Sequence, residues 1–318
     1  MFTSSFASFR RSGLPRRRTL AVAATATALA LTLAACGSSG GTSGGTSSMP
    51  GMEHGHGSAG PSSSGTPMGD MPGTGRMASG AGAPSDTRDG YRLVSADRRL
   101  PSGRRTAYRF TVTGPDGRPV TGFALDQTRR MHFYAVRSDL TGFQHLHPVM
   151  AADGTWTAEP ASLAPGSWRV FASFVPASGA GKGKDLVLSR GVFVSGDDRG
   201  TAPLPAPAAS VRVDGYDVRV RGELKAGTAS PLTVSVSEGG QPVRDLQPYL
   251  GTYAHLTAFH KGDLAFAHLH PLTEVTGDHG GPDLSFHAEL PTSGDWRLFL
   301  QFRTAGRLHT AAVTLRVG

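Results

Sequence analysis

The strongest constraint on this chain is an internal repeat. Residues 131–148 (MHFYAVRSDLTGFQHLHP) align without a gap on residues 254–271 (AHLTAFHKGDLAFAHLHP), with seven of eighteen positions identical. A second match follows, 166–174 (GSWRVFASF) against 294–302 (GDWRLFLQF), with five of nine identical and Trp168 opposite Trp296. The offset grows from 123 to 128, so the second copy carries about five extra residues, which fall in the turn-like stretch 276–282. Self-similarity of this kind means two copies of one structural unit, each of ordinary domain size.

Within each copy the hydrophobic period is two. Tyr108 to Val112 alternates and then meets Gly114-Pro115-Asp116-Gly117; Leu232 to Val236 alternates and then meets Gly239-Gly240. No stretch shows a capped 3.6-residue period. Short strands with regular turn signals predict an all-β chain of two tandem immunoglobulin-like β-sandwich domains. Copy one is placed at 89–198 and copy two at 210–318, joined by a Pro/Ala-rich linker at 199–209. With a single cysteine, Cys36, the inter-sheet disulfide of many such sandwiches is absent, as is any CxxC metal or redox site. Trp168 and Trp296 are expected to be core aromatics.

The segment before the repeats reads as an address and a tether. Residues 1–35 carry five arginines and no acid, then an apolar Ala/Leu run, then Leu33-Ala34-Ala35-Cys36-Gly37. This is the pattern of a secretory signal peptide. Its end resembles a bacterial lipobox, in which Cys36 takes a lipid and holds the protein to the membrane outside the cytoplasm. Arg16-Arg17-Arg18 leaves Sec and twin-arginine export both open. Without those 35 residues the formal charge falls from +8 to +3, too little for a nucleic-acid partner. From Gly37 to Gly90 there is no Val, Ile, Leu, Phe, Tyr or Trp. Residues 36–88 are therefore expected to be a disordered tether, with a reach of roughly 40 Å. It is rich in methionine, and Met49, Met52, Met68 and Met71, with His54 and His56, are soft and imidazole donors suited to copper.

Six of the twelve histidines occupy equivalent positions in the repeated block, three per copy. In His145-Leu146-His147 and His268-Leu269-His270, strand alternation places both rings on one face. A hairpin centred on Gly262-Asp263 sets His255 opposite His270, so that His255, His268 and His270 converge on one metal-sized site. The same register in copy one joins His132, His145 and His147. There the loop, Asp139-Leu140, is poorer turn chemistry, and a bulge at Gly142 would shift the register. Copy two is accordingly the stronger candidate.

The HLHP block, preceded by a strand that opens on His, resembles a family of bacterial secreted and lipid-anchored proteins with Ig-like, YtkA-like domains. The resemblance covers residues from about 89 to the end. Gln247-Pro248-Tyr249-Leu250-Gly251 strengthens it in copy two; copy one has Leu125-Asp126-Gln127-Thr128 there. Such proteins are met in heavy-metal and copper contexts, so the resemblance implies metal handling. Position by position it falls on His132, His145, His147, His255, His268 and His270.

Together these features predict a surface lipoprotein that binds copper, with zinc as the alternative metal, and buffers it or passes it to another copper-handling protein. A non-metal structural or adhesive tandem of Ig-like domains is the alternative. A zinc hydrolase ranks below both, because there is no HExxH, no phosphate loop and no GxSxG outside the low-complexity Gly/Ser tether, and the chain is read as non-enzymatic.

Overall fold

The computed structural model describes residues 82–198 and 200–318. In copy one the strands are β1 (Thr87–Arg88), β2 (Tyr91–Val94), β3 (Arg99–Pro101), β4 (Tyr108–Thr113), β5 (His132–Arg137), β6 (Phe143–Leu146), β7 (Val149–Met150), β8 (Thr155–Ala158), β9 (Gly166–Phe174) and β10 (Leu186–Ser195). They form two sheets, β1-β2-β4-β8-β7 and β3-β10-β9-β5-β6. The short β3 runs parallel to the last strand, β10, and every other pair is antiparallel. Two stacked sheets whose chain crosses from one to the other in this order are an immunoglobulin-like sandwich.

Copy two repeats the plan in β11 (Ser210–Val213), β12 (Tyr216–Arg221), β13 (Ser230–Glu238), β14 (Gln241–Pro242), β15 (Ala254–His260), β16 (Phe266–Pro271), β17 (Asp283–Ala288), β18 (Gly294–Thr304) and β19 (Arg307–Val317). Here β16 pairs with β15 along most of its length and with β17 at His270–Pro271, which joins both layers into one curled sheet. No helix occurs among the described residues, so none is long and apolar enough to cross a membrane.

Each sandwich has its own core. Leu93, Phe110, Phe133 and Trp156 centre copy one, and Val234, Leu256, Phe286 and Trp296 centre copy two. Both tryptophans are core residues, as expected, and both indole N–H groups donate to the carbonyl four residues back, at 2.9 Å. Gly142 lies so close to the Trp168 ring that a Cβ there would stand 2.5 Å from it, so packing demands glycine at this point.

A third apolar cluster joins the copies. Tyr134, Val136, Phe171 and Val187 of copy one meet Phe259, Leu264, Phe266 and Phe299 of copy two, with Leu204 of the connecting segment beside them. At about 1.5–3 kcal/mol for each large apolar side chain fully removed from water, this face binds the copies into one compact unit. It also explains why β5 and β15 are buried on both faces: one face meets its own core and the other meets the neighbouring copy.

Candidate metal centre

The expected hairpin registers are the observed ones. Thr257 pairs with His268 and Leu256 with Leu269, so the copy-two hairpin is centred between Gly262 and Asp263. Its loop is four residues, 261–264, with His260 N–H donating to the Ala265 carbonyl to close it, where a two-residue loop was expected. Tyr134 pairs with His145 and Phe133 with Leu146 in copy one, which sets His132 across from His147. No bulge forms at Gly142; Leu140 supplies the left-handed turn residue instead, with φ 62°.

The ranking of the two sites is reversed. Among the described residues, the one group of three His, Cys, Asp or Glu side chains whose ligand atoms all lie within 4.8 Å of one another is His132, His145 and His147, in copy one. In copy two the end of β16 turns to β17, pairing His270 with His287. This takes His270 away from the β15 edge, and its ring lies against His268 at a centroid distance of 5.1 Å.

Hydrogen bonding separates the copies further. His132 Nε2–H donates to the Asp126 carbonyl at 3.0 Å, and His145 Nδ1–H donates to Gln301 Oε1 at 2.7 Å. Gln301 comes from copy two, is buried, and has its amide oriented by donation to Thr310 Oγ1 at 3.4 Å. A neutral imidazole carries one proton. With both protons on the outer nitrogens, His132 Nδ1 and His145 Nε2 face each other at 3.0 Å as two bare lone pairs. The His147 ring offers a nitrogen within 4.8 Å of both, and its Nε2 is buried without a hydrogen-bond partner.

Adding a proton does not relieve this arrangement. Burial holds His132 below the usual histidine range. Burial, then the neighbouring His132 and His147, holds His145 well below it. His147 is pushed down to about 3 by burial, by His132 and by Arg129. Three inward nitrogens with outer N–H groups tied to carbonyl oxygens, in the two rings whose partners are seen, match the pattern of metal-bound imidazoles. Ligands bonded at about 2.0–2.1 Å stand roughly 3–4 Å apart, so the 3.0 Å pair already fits and the third ring needs to move by less than about an ångström.

In copy two, both nitrogens of His255 and the Nε2 of His268 are hydrogen-bonded instead. His255 Nδ1–H donates to Gln127 Oε1 at 2.6 Å, and Tyr134 O–H donates to His255 Nε2 at 3.1 Å. Gln127 Nε2–H donates to His268 Nε2 at 3.1 Å. Burial holds His255 and His268 well below the ordinary range, so both are neutral near pH 7. Gln127 and Tyr134 come from copy one, so each copy supplies a glutamine to the other's histidines. The histidine rings of the two copies form one cluster, in which His132, His145 and His255 stack on one another and the His145 and His255 centroids are 4.6 Å apart.

Gln127, Gln301 and Tyr134 carry no sequence signal as site residues, because their partners lie 121 to 156 positions away. The turn before each first histidine is also shared. Gln127-Thr128 and Leu250-Gly251 are equivalent left-handed pairs, bridged by Asp126–Arg129 and Tyr249–Thr252. Copy one therefore has a structural counterpart to the Pro-Tyr-Leu-Gly run.

His260 and His309 lie elsewhere, paired with Asp263 and Asp214. Cys36, Met49, Met52, His54, His56, Met68 and Met71 lie outside the described residues.

Residues 210–318 match a family described as a domain of unknown function, DUF8832; the match covers copy two. No curated protein matches the chain. Similar solved structures include FdeC, an Escherichia coli adhesin, at 14% identity and TM-score 0.23, over 73% of this chain and 65% of that one. Yersinia pseudotuberculosis InvD is 16% identical with TM-score 0.23, over 72% and 57%. The D0-D1 domain of intimin is 12% identical with TM-score 0.18, over 71% and 97%. The chain spans less than two thirds of the first two, and TM-scores this low carry no argument about function.

Proposed function

We propose that this chain is a lipid-anchored, extracytoplasmic protein that binds a transition-metal ion through His132, His145 and His147 and buffers it or hands it on. The observation that carries this reading is the 3.0 Å approach of His132 Nδ1 to His145 Nε2, in two rings whose protons are assigned to outer nitrogens facing carbonyl oxygens, beside a His147 whose Nε2 has no partner. Burial opposes a proton there, and a cation that accepts three lone pairs removes the conflict.

The trio contains neither carboxylate nor thiolate. Neutral imidazoles suit copper and zinc, and the Irving–Williams order places Cu²⁺ above Zn²⁺. The cluster's hydrogen-bond partners are a backbone carbonyl, two amides and a phenol. None is an acid or base suited to activating water, which favours carrying an ion over hydrolysis. The Met/His tether is read as a second copper-binding element. Gly82 bridges Phe266, two residues before His268, so the chain leaves the tether and joins the body on the strand that carries His268 and His270. This supports transfer between tether and cluster.

A purely structural or adhesive tandem is the alternative, and His255, hydrogen-bonded at both nitrogens, and His268, bonded at Nε2, fit it. The unsatisfied copy-one nitrogens do not. Calorimetric titration of the whole chain with Cu²⁺ separates the readings. His145→Ala and His147→Ala should each remove one binding event or weaken it by at least tenfold, while His260→Ala should leave it unchanged. Equal copper binding by wild type and both variants, with the β fold intact, would make the trio structural.

A further inference from the structure

We propose that copy two holds a second, latent site for the same class of ion, in which the side-chain amide of Gln127 occupies the ion's place. The proposal rests on reading the copy-one trio as a metal site. Two of the ligand atoms there are His132 Nδ1 and His145 Nε2, 3.0 Å apart. Their counterparts 123 residues on are His255 Nδ1 and His268 Nε2. Gln127 bonds those same two atoms, with its oxygen 2.6 Å from the first and its nitrogen 3.1 Å from the second. His270, the counterpart of His147, is next in the row and partly exposed, open to an ion arriving from solvent.

The amide is delivered by an unusual stretch of backbone. Gln127 and Thr128 have φ of 42° and 69°, a conformation that costs a side-chain-bearing residue free energy. Mutual backbone bonds of 2.8 Å between Asp126 and Arg129 hold the turn. The equivalent turn of copy two has Leu250 at Gln127's position and Gly251 at Thr128's, with φ of 57° and 74°. The same turn is thus built twice, but only copy one places a hydrogen-bonding side chain on it. Leu250 can satisfy no nitrogen, and the copy-one nitrogens are unsatisfied. Gln127 satisfies two, and the copy-two nitrogens are closed.

Filling the latent site requires two local changes. The amide must leave, and His255 must take its other tautomer, with Nδ1 bare and Nε2–H donating to the Tyr134 oxygen. Both changes oppose binding, so this site fills after the copy-one site.

The test is a count of ions per chain. Whole-chain variants are dialysed against the same buffered free Cu²⁺ and analysed for copper; all share the tether, so its contribution cancels in differences. Gln127→Leu, which installs the residue found at the equivalent turn, should bind one ion more than wild type. Gln127→Asn, whose amide is one methylene shorter and which tolerates left-handed backbone, should gain the same ion. Gln127→Leu/His268→Ala should return to the wild-type count. The proposal is overturned if neither Gln127 variant gains copper while both keep a cooperative β fold, or if the gain survives loss of His268. His147→Ala in the wild-type background addresses the copy-one site alone: an unchanged count there, together with a gain in Gln127→Leu, would remove the first reading and leave the latent site standing.

Discussion

Mild acid should destabilise the metal-free protein sharply, and the magnitude follows from the buried rings. His145, His147, His255 and His268 are all held well below the ordinary histidine value by burial. In the unfolded chain each returns to about 6.5. Above that pH the rings are neutral in both states and contribute no pH dependence. Below it the unfolded chain binds protons that the folded chain refuses, so stability falls with pH until the folded groups titrate, near 3 for His147. At pH 5.5 each refused proton costs about 1.4 kcal/mol, and four cost about 5–6 kcal/mol. That is comparable with the whole stability of a typical domain, about 5–15 kcal/mol. The cluster lies between the copies, so parting of the interface takes up the same protons as unfolding, and the loss registers in whichever step breaks the cluster. Urea unfolding followed by circular dichroism at pH 7.5, 6.5 and 5.5, at fixed ionic strength, measures it. With an m-value of roughly 2–3 kcal/mol per molar, the midpoint should drop by about 2 M between the extremes. A midpoint that holds steady from pH 7.5 to 5.5 would refute the neutral, buried cluster. The double variant His255→Phe/His268→Leu should show a pH slope smaller by about two protons.

Two further outcomes are expected. Gln301→Leu keeps bulk but removes the oxygen that orients His145, and should weaken copper binding about 10–100-fold, the usual effect of losing an outer-shell partner, as read by calorimetry. A peptide of residues 45–80 should bind Cu(I) in preference to Zn²⁺, because thioether sulfur is a soft donor, as read by competition titration.

Much of the fold could be read because its signals are local. Period-two alternation, Gly-rich turns and the ungapped repeat identify β-sandwich copies, and the repeat fixes which residues are equivalent. Hairpin register is local as well: loop centres at Gly262-Asp263 and Leu140 determine that His268 faces Thr257 and His145 faces Tyr134. The relation between the copies has no such signal. The runs His132–Val136 and Ala254–Phe259 are buried on both faces, yet a strand covered by another sheet and a strand with scattered apolar residues look alike in one dimension. The Phe143–Phe299 stack, at 4.1 Å, joins residues more than 150 positions apart. No periodicity reports such a contact.

Which histidine row brings its three ligand atoms together is hidden from the sequence for a related reason. Turn chemistry favours copy two, since Gly262-Asp263 is a better loop than Asp139-Leu140, and register is indeed set by the loop. Ligand availability is set elsewhere, by what the opposite copy presents to each nitrogen. Copy two presents Gln301 to the outer nitrogen of His145, which leaves the inner one bare. Copy one presents Gln127 and Tyr134 to both nitrogens of His255, which leaves neither bare. Duplication produced two nearly equal histidine rows, and packing them face to face made them unequal, because a glutamine donated inward closes a site while a glutamine bonded from behind opens one. The difference lies in two positions that the repeat does not share: Gln127 against Leu250 in the turns, and Gln301 against Ser173 beside the first histidine of each copy.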